Sequence, residues 1–286
     1  SYHLPYVDLG LSNFLCGVPF REDKGWYLLQ YEQYYSTNKF LDSKGNLLGG
    51  VCSPAYKSWS GITSLTYQAD QRLLDGRIGV NFGIPYFFSS KISNNELGIK
   101  SSGKGLGDLF AGLFLQWDPV ERNGRPIFQQ NAGFFLSFPT GKWIGCRDNV
   151  INPGNKLVFF SPYWAYTFFI TPKFTFSGYI YYIFCGKNRA TCIKPGQALD
   201  FIYNLLYQVK DKFFVGFNGY FLQQIQNDKL KNATLFSSKE RVLGSGFGAL
   251  YRPTEQTYLA FHLYFESLAR NRTQGTNFIL RWIQLF

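Results

Sequence analysis

From residue 25 onward one pattern repeats: segments of about ten residues alternate apolar and polar positions and are separated by turn residues. "TSLTYQAD" (63–70) sets Thr63, Leu65, Tyr67 and Ala69 against Ser64, Thr66, Gln68 and Asp70. "LDFIYNLLYQV" (199–209) sets Leu199, Phe201, Tyr203, Leu205 and Tyr207 against Asp200, Asn204 and Gln208. "YLAFHLYFE" (258–266) sets Leu259, Phe261, Leu263 and Phe265 against His262 and Glu266. Successive side chains of a strand point to opposite faces, so this period of two predicts strands with one greasy and one mixed face. Aromatic and β-branched enrichment points the same way. Twelve segments fit: 26–36, 61–71, 77–89, 108–117, 127–138, 157–170, 174–184, 198–209, 213–225, 243–251, 257–267 and 276–286. Short gaps such as "TPK" (171–173) and "KDK" (210–212) alternate with long ones such as 38–61, 91–107, 139–156 and 226–242.

An even number of strands with every second connection long is expected of a barrel whose two rims face different compartments. A soluble sandwich would share the alternation. Composition separates the two. Aromatic residues make up 20% of the chain, with 30 Phe and 20 Tyr. Tyr and Trp gather at segment ends, as in "WYLLQY" (26–31) and "FLQW" (114–117), in the manner of interfacial girdles. Charged residues are only 16%, against ~25% for an ordinary soluble domain. Mean hydropathy is −0.14, and the longest apolar run, "YIYYIFC" (179–185), is far short of the ~20 residues a spanning helix needs. The reading is an all-β, 12-stranded antiparallel transmembrane β-barrel over residues 25–286. With no Met in the chain and no leader at Ser1, it reads as a mature protein.

The final stretch, "NFILRWIQLF" (277–286), ends inside an alternation. A barrel in lipid must pair every backbone group, so its last strand closes on its first. Phe278, Leu280, Trp282 and Phe286 resemble the terminal signal that barrel assembly machinery reads in bacterial outer-membrane barrels. "GLGDLFAGLFLQW" (105–117), "FPTGKW" (138–143), "KPGQALDF" (194–201), "GYFLQQIQND" (219–228) and "FESLARNRTQG" (265–275) resemble, in order, the outer-membrane channel family named for the MetA pathway of phenol degradation. The resemblance implies twelve strands, an N-terminal segment inside the lumen, and passage of hydrophobic or aromatic small molecules. The family name does not fix the substrate.

Residues 1–24 do not alternate and carry Pro5 and Pro19, yet they are rich in Leu, Tyr and Phe, which disordered segments avoid. The expectation is a plug folded into the lumen, with Leu4, Pro5, Tyr6, Phe14, Pro19 and Phe20 inside. Inward ionisable positions are Glu32, Asp70, Asp200, His262, Glu266 and Arg281; they read as a bracing network, with Glu32 beside Arg281 across the closure of first and last strands. Inward Phe110, Phe114, Phe135, Phe214 and Tyr220 could line a greasy pocket. Five cysteines lack any C-x-x-C spacing, and Cys185 and Cys192 bracket a loop that a disulfide could close.

Net charge is +11, but the basic residues sit singly in loops rather than in a stripe, which excludes a nucleic-acid partner. Loop lysines Lys91, Lys100, Lys104, Lys229 and Lys231 suit lipopolysaccharide phosphates instead. "GIKSSGKG" (98–105) lacks the Ser/Thr and the strand–helix context of a phosphate loop and reads as an external loop. The Asn-x-Thr stretches at 232–234 and 271–273 are idle glycosylation acceptors in a bacterium. No G-x-S-x-G or spaced metal-ligand set is present, so neither an enzyme, a metal site nor a cofactor is expected. The leading expectation is a monomeric bacterial outer-membrane channel for passive uptake of small hydrophobic or aromatic molecules. A hydrophilic diffusion porin, or a structural or adhesive barrel with a sealed lumen, is the alternative.

Overall fold

The computed structural model describes residues 3–5, 7–20, 23–48, 55–94, 99–145 and 152–286, with backbone alone at 94 and 99–102. Twelve antiparallel strands close into a barrel. They are β1 (Gly25–Phe40), β2 (Ala55–Leu73), β3 (Gly76–Asn94), and β4 in three pieces (Ile99–Leu106, Phe110–Gln116, Val120–Arg122). Then follow β5 (Arg125–Ser137), β6 (Phe159–Phe169), β7 (Phe174–Cys185) and β8 (Ala198–Lys210). The last four are β9 (Phe213–Gln224), β10 (Arg241–Thr254), β11 (Thr257–Arg270) and β12 (Thr273–Leu285). Each strand pairs with its sequence neighbours, and β12 pairs with β1 from Tyr27↔Leu285 to Phe40↔Thr273. The Phe286 amide donates to the Trp26 carbonyl at 3.1 Å, so the pairing runs to the last residue.

The twelve segments read from the pattern are these twelve strands. The boundaries differ at the long-loop end, where β1 runs on to Phe40, β2 begins at Ala55 and β3 reaches Asn94, and the wall differs in two further respects. Of the stretch 98–105, expected as a loop, the described residues 99–105 are strand and extend the wall beside β3. β4 breaks at residues 107–109 opposite Pro85, which has no N–H to offer a ladder; the Gly107 amide donates to the Pro85 carbonyl at 2.7 Å across the break.

Outward side chains form an apolar belt, including Leu65, Phe82, Leu113, Phe217, Phe247 and Leu280, all exposed. Trp26 packs tilted against Tyr67 near the short-turn end, and Trp59 against Phe88 toward the long-loop end, with ring centroids 4.9 and 5.0 Å apart. A continuous greasy belt of this extent cannot face water, and the closed ladder leaves no unpaired edge, so the strands cross a membrane. No helix is long and apolar enough to cross one among the described residues.

The core lies inside the barrel. Residues 3–5 and 7–20 run along it from the long-loop end to the short-turn end. His3 and Leu4 amides donate to Glu240 Oε1 at 2.7 and 3.0 Å, in the long β9–β10 connection. At the other end the Phe20 ring packs edge-on against Tyr27 and Tyr258.

Candidate lumen binding site

An irregular segment inside a barrel brings backbone N–H and C=O groups that have no ladder to join, and each one left unpaired away from water is costly. The wall supplies the partners. Tyr264 Oη donates to the Gly10 carbonyl at 2.9 Å, and Asn131 Nδ2 to the Cys16 carbonyl at 3.2 Å. Gln116 Nε2 donates to the Gly17 carbonyl at 3.1 Å, while the Gly17 amide donates to Thr167 Oγ1 at 3.2 Å. Asn13 is fully buried, and its side-chain oxygen accepts from Asn204 Nδ2 at 2.7 Å. Phe14 is fully buried with Leu206, Leu250 and Ala260, its ring centroid 4.5 Å from that of His262. Within the segment, Asp8 Oδ1 accepts from the amides of Leu11 and Ser12 at 2.7 and 3.3 Å.

Between this segment and the opposite wall lies a cavity of about 300 Å³. Leu4, Pro5, Pro19 and Phe20 line it from the segment, and Phe110, Phe114 and Phe135 from the wall. Those three rings lie directly across the ladder from Gly83, Gly79 and Gly112. A Cβ on each of these glycines would come within 2.1, 2.0 and 2.7 Å of the facing ring. The missing side chains let the rings lie along the wall, which keeps the lumen open. Phe135 stacks on Tyr163 at 5.2 Å, and Tyr179 on Tyr181 at 5.2 Å, completing an aromatic wall over four adjacent strands.

Toward the long loops is a second cavity of about 380 Å³, walled by Phe40, Leu41, Leu48, Ile92, Trp143 and Ile193 among others. Leu4, Tyr56, Asn155, Arg272 and Thr273 line both cavities and form the partition between them. Glu240 is fully buried and holds the Leu4 side of this partition; Arg272 lies 3.7 Å from it. Burial pushes the Glu240 carboxyl up, and the Arg272 charge opposes that shift. His3 Nδ1 lies 2.6 Å from the fully buried Asp228 Oδ2.

Several sequence-expected residues are placed differently. Tyr6 lies outside the described residues, as do Cys52 and Cys146. Glu32 faces lipid, not the lumen: its carboxylate accepts from Trp59 Nε1 at 2.9 Å and from Tyr86 Oη at 2.8 Å. The inward parity of β1 starts with Tyr27, Leu29 and Tyr31, all buried, and continues through Gln33 and Tyr35. Arg281 pairs across the ladder with Tyr31, so the expected Glu32–Arg281 pair does not form; the Arg281 guanidinium sits 5.8 Å over the Phe20 ring. Asp70 keeps its parity but lies past the short-turn rim, exposed, 3.2 Å from Lys24 Nζ. The expected Cys185–Cys192 disulfide is absent, both thiols being free. The Cys192 amide instead donates to the Asn188 carbonyl at 2.9 Å, which closes that turn without a cross-link.

Asp200, His262, Glu266 and Arg281 are buried on the inner face. They do not form one network. Glu266 takes donors from Tyr35 and Tyr220 Oη at 2.6 and 2.9 Å and from the Gly275 amide at 2.8 Å. His262 Nδ1 lies 2.6 Å from Asn218 Nδ2. Phe214 and Tyr220 also point inward, but toward the segment: Phe214 packs against the cluster of Phe14, Leu206, Leu250 and Ala260, and Tyr220 against Tyr264 at Gly10. Phe278, Leu280, Trp282 and Phe286 share the outer face of β12, with Leu280, Trp282 and Phe286 exposed. Sequence reasoning missed Tyr163, Tyr179 and Tyr181, Glu240 and Arg272. The first three sit in segments that look uniformly greasy, "SPYWAYTFF" and "YIYYIF", where alternation is silent.

No curated protein matches the chain. Among solved structures it is similar to an outer membrane channel from Pseudomonas putida F1, with a TM-score of 0.81 at 17% identity over 98% of this chain and 100% of that one. The transport unit of the autotransporter AIDA-I from Escherichia coli superposes with a TM-score of 0.52 at 9% identity, covering 93% and 91%. The Pseudomonas putida toluene transporter TodX does so with 0.50 at 9% identity, covering 92% and 89%. At such identities these likenesses speak for the barrel fold. Residues 37–282 match the family described as "Putative MetA-pathway of phenol degradation", and the chain belongs to that family.

Proposed function

We propose that the protein is a bacterial outer-membrane channel for passive uptake of small hydrophobic and aromatic molecules. The carrying observation is the aromatic wall beside a cavity of about 300 Å³, which falls at the small end of ligand pockets and suits a single-ring solute. The apolar outer cavity, reached from the long-loop side, gathers such a solute before it passes the Leu4–Tyr56–Arg272 partition. The family description and the toluene of the TodX name both concern small aromatic molecules. The segment along residues 3–20 acts as a plug, narrowing the lumen against hydrophilic solutes. The barrel works as a monomer, is a channel rather than a catalyst, is inserted by the barrel assembly machinery through its terminal aromatic, and meets lipopolysaccharide with its loop lysines.

Uptake of a radiolabelled single-ring hydrocarbon by cells with and without the protein tests this, beside liposome swelling with small saccharides. Faster aromatic uptake with poor swelling is expected. Rapid saccharide flux with unchanged aromatic uptake would establish the hydrophilic porin instead.

A further inference from the structure

Five carboxylates line the inner cavity: Asp8, Asp108, Asp200, Glu240 and Glu266. Among the described residues one basic side chain, Arg272, lines it with them. Four of the five are engaged by the protein. Asp8 accepts from the Leu11 amide at 2.7 Å and Tyr181 Oη at 3.2 Å. Asp108 accepts from the amides of Gly141 and Asn155 at 2.8 and 2.7 Å. Glu240 holds His3 and Leu4, and Glu266 holds Tyr35 and Tyr220. Asp200 differs. It is fully buried, lines the cavity, and neither carboxylate oxygen has a hydrogen-bond partner among the described residues.

A buried carboxylate with no donor is expensive, and the cost falls when a donor, above all a cationic one, reaches it. The surroundings fit such a donor. Asp200 stands directly across the ladder from Tyr181, whose ring stacks on Tyr179 at 5.2 Å and lies 5.6 Å from Tyr163. Ring faces beside an anion are the surroundings an organic ammonium prefers, through cation–π attraction and charge-assisted hydrogen bonds. The geometry points to Asp200 as the polar anchor of the cavity, selecting, among small aromatic solutes, those that carry an ammonium group. This rests on the channel reading above and narrows its substrate class. The ring lies along the Phe135–Tyr163–Tyr179 wall, and the ammonium donates to the Asp200 oxygens. An aromatic carboxylate is repelled by the same five acids.

The test is calorimetric titration of the purified full chain in detergent with phenethylamine, 2-phenylethanol and 3-phenylpropionate, partition into empty micelles subtracted. Phenethylamine is expected to bind on the order of tenfold tighter than 2-phenylethanol, with 3-phenylpropionate weakest. Asp200→Asn is expected to level the first two while leaving 2-phenylethanol unchanged. Should that variant fail to fold, judged by its heat-shifted gel mobility, the ranking on the unaltered protein decides alone. Equal or tighter binding of 2-phenylethanol, or an amine preference that survives Asp200→Asn, overturns the anchor and leaves the channel reading standing. Failure of all three to bind removes both the anchor and the cavity's role in transport.

Discussion

Gly10 shows how narrowly the inner segment is fitted. Its φ is +81°, in the region that L side chains rarely adopt, and a Cβ there would lie 2.6 Å from Tyr264 Cζ and 2.9 Å from Tyr220 Cδ1. Gly10→Ala therefore meets both backbone strain and a clash with two fully buried rings. The expected cost is about 1–3 kcal/mol, falling on the seat of the segment rather than on the barrel. Raised ion conductance with an unchanged unfolding temperature of the wall would show this; unchanged conductance would reject it. Glu32 makes the complementary case. On the lipid face it touches Trp59 and Tyr86 and nothing in the lumen. Glu32→Leu should leave conductance and its ion selectivity unaltered in planar bilayers, because no lumen charge is lost. A shift in selectivity would place that carboxylate in the permeation path after all.

The inner segment is the element on which the transport reading turns, and it carries its own reporter. Cys16 is buried. The reagent must reach the thiolate, so near pH 8 a seated Cys16 should label with maleimide far more slowly than a free thiol. With the four other cysteines replaced by Ser, labelling should accelerate at least tenfold in Gly10→Ala, tracking release of the segment. Equal rates in both proteins would show that Cys16 is reached without displacement. The strands themselves were legible because period two is a local property of the chain. Which face is inner was legible only where polar residues crowd one parity, as at Asp200, Asn204 and His262. On β1 the rule inverted. A lumen filled by protein accepts Tyr27, Leu29 and Tyr31, while Gln30 and Glu32 satisfy each other and their neighbours outside. The partition was not legible at all. His3 and Glu240 are 237 residues apart, and nothing local to either announces the other.

At the scale of the whole molecule, the charge is sorted. The chain carries +11, yet among the described residues the inner cavity is lined by five carboxylates and one arginine. Lys91, Lys104, Lys229 and Lys231 are exposed, and each lies toward the long-loop end, in the outer parts of β3 and β4 or in the β9–β10 connection. A basic outer rim over an acidic interior suits an anionic outer leaflet: on the reading proposed above, the rim would seat the barrel among phosphates. Near an anionic surface each basic residue contributes about 1 kcal/mol, and this falls within a Debye length of ~10 Å at 0.1 M salt. Changing the four lysines to Gln should therefore weaken lipopolysaccharide association on the order of tenfold or more at low salt, with the difference shrinking as salt rises. Because none of the four is buried, the heat-shifted mobility of the folded barrel should not change. Lipopolysaccharide that co-purifies in equal amount with the four-lysine variant would mean that the rim is basic for another reason, and that the positive surplus has no part in seating this channel in its membrane.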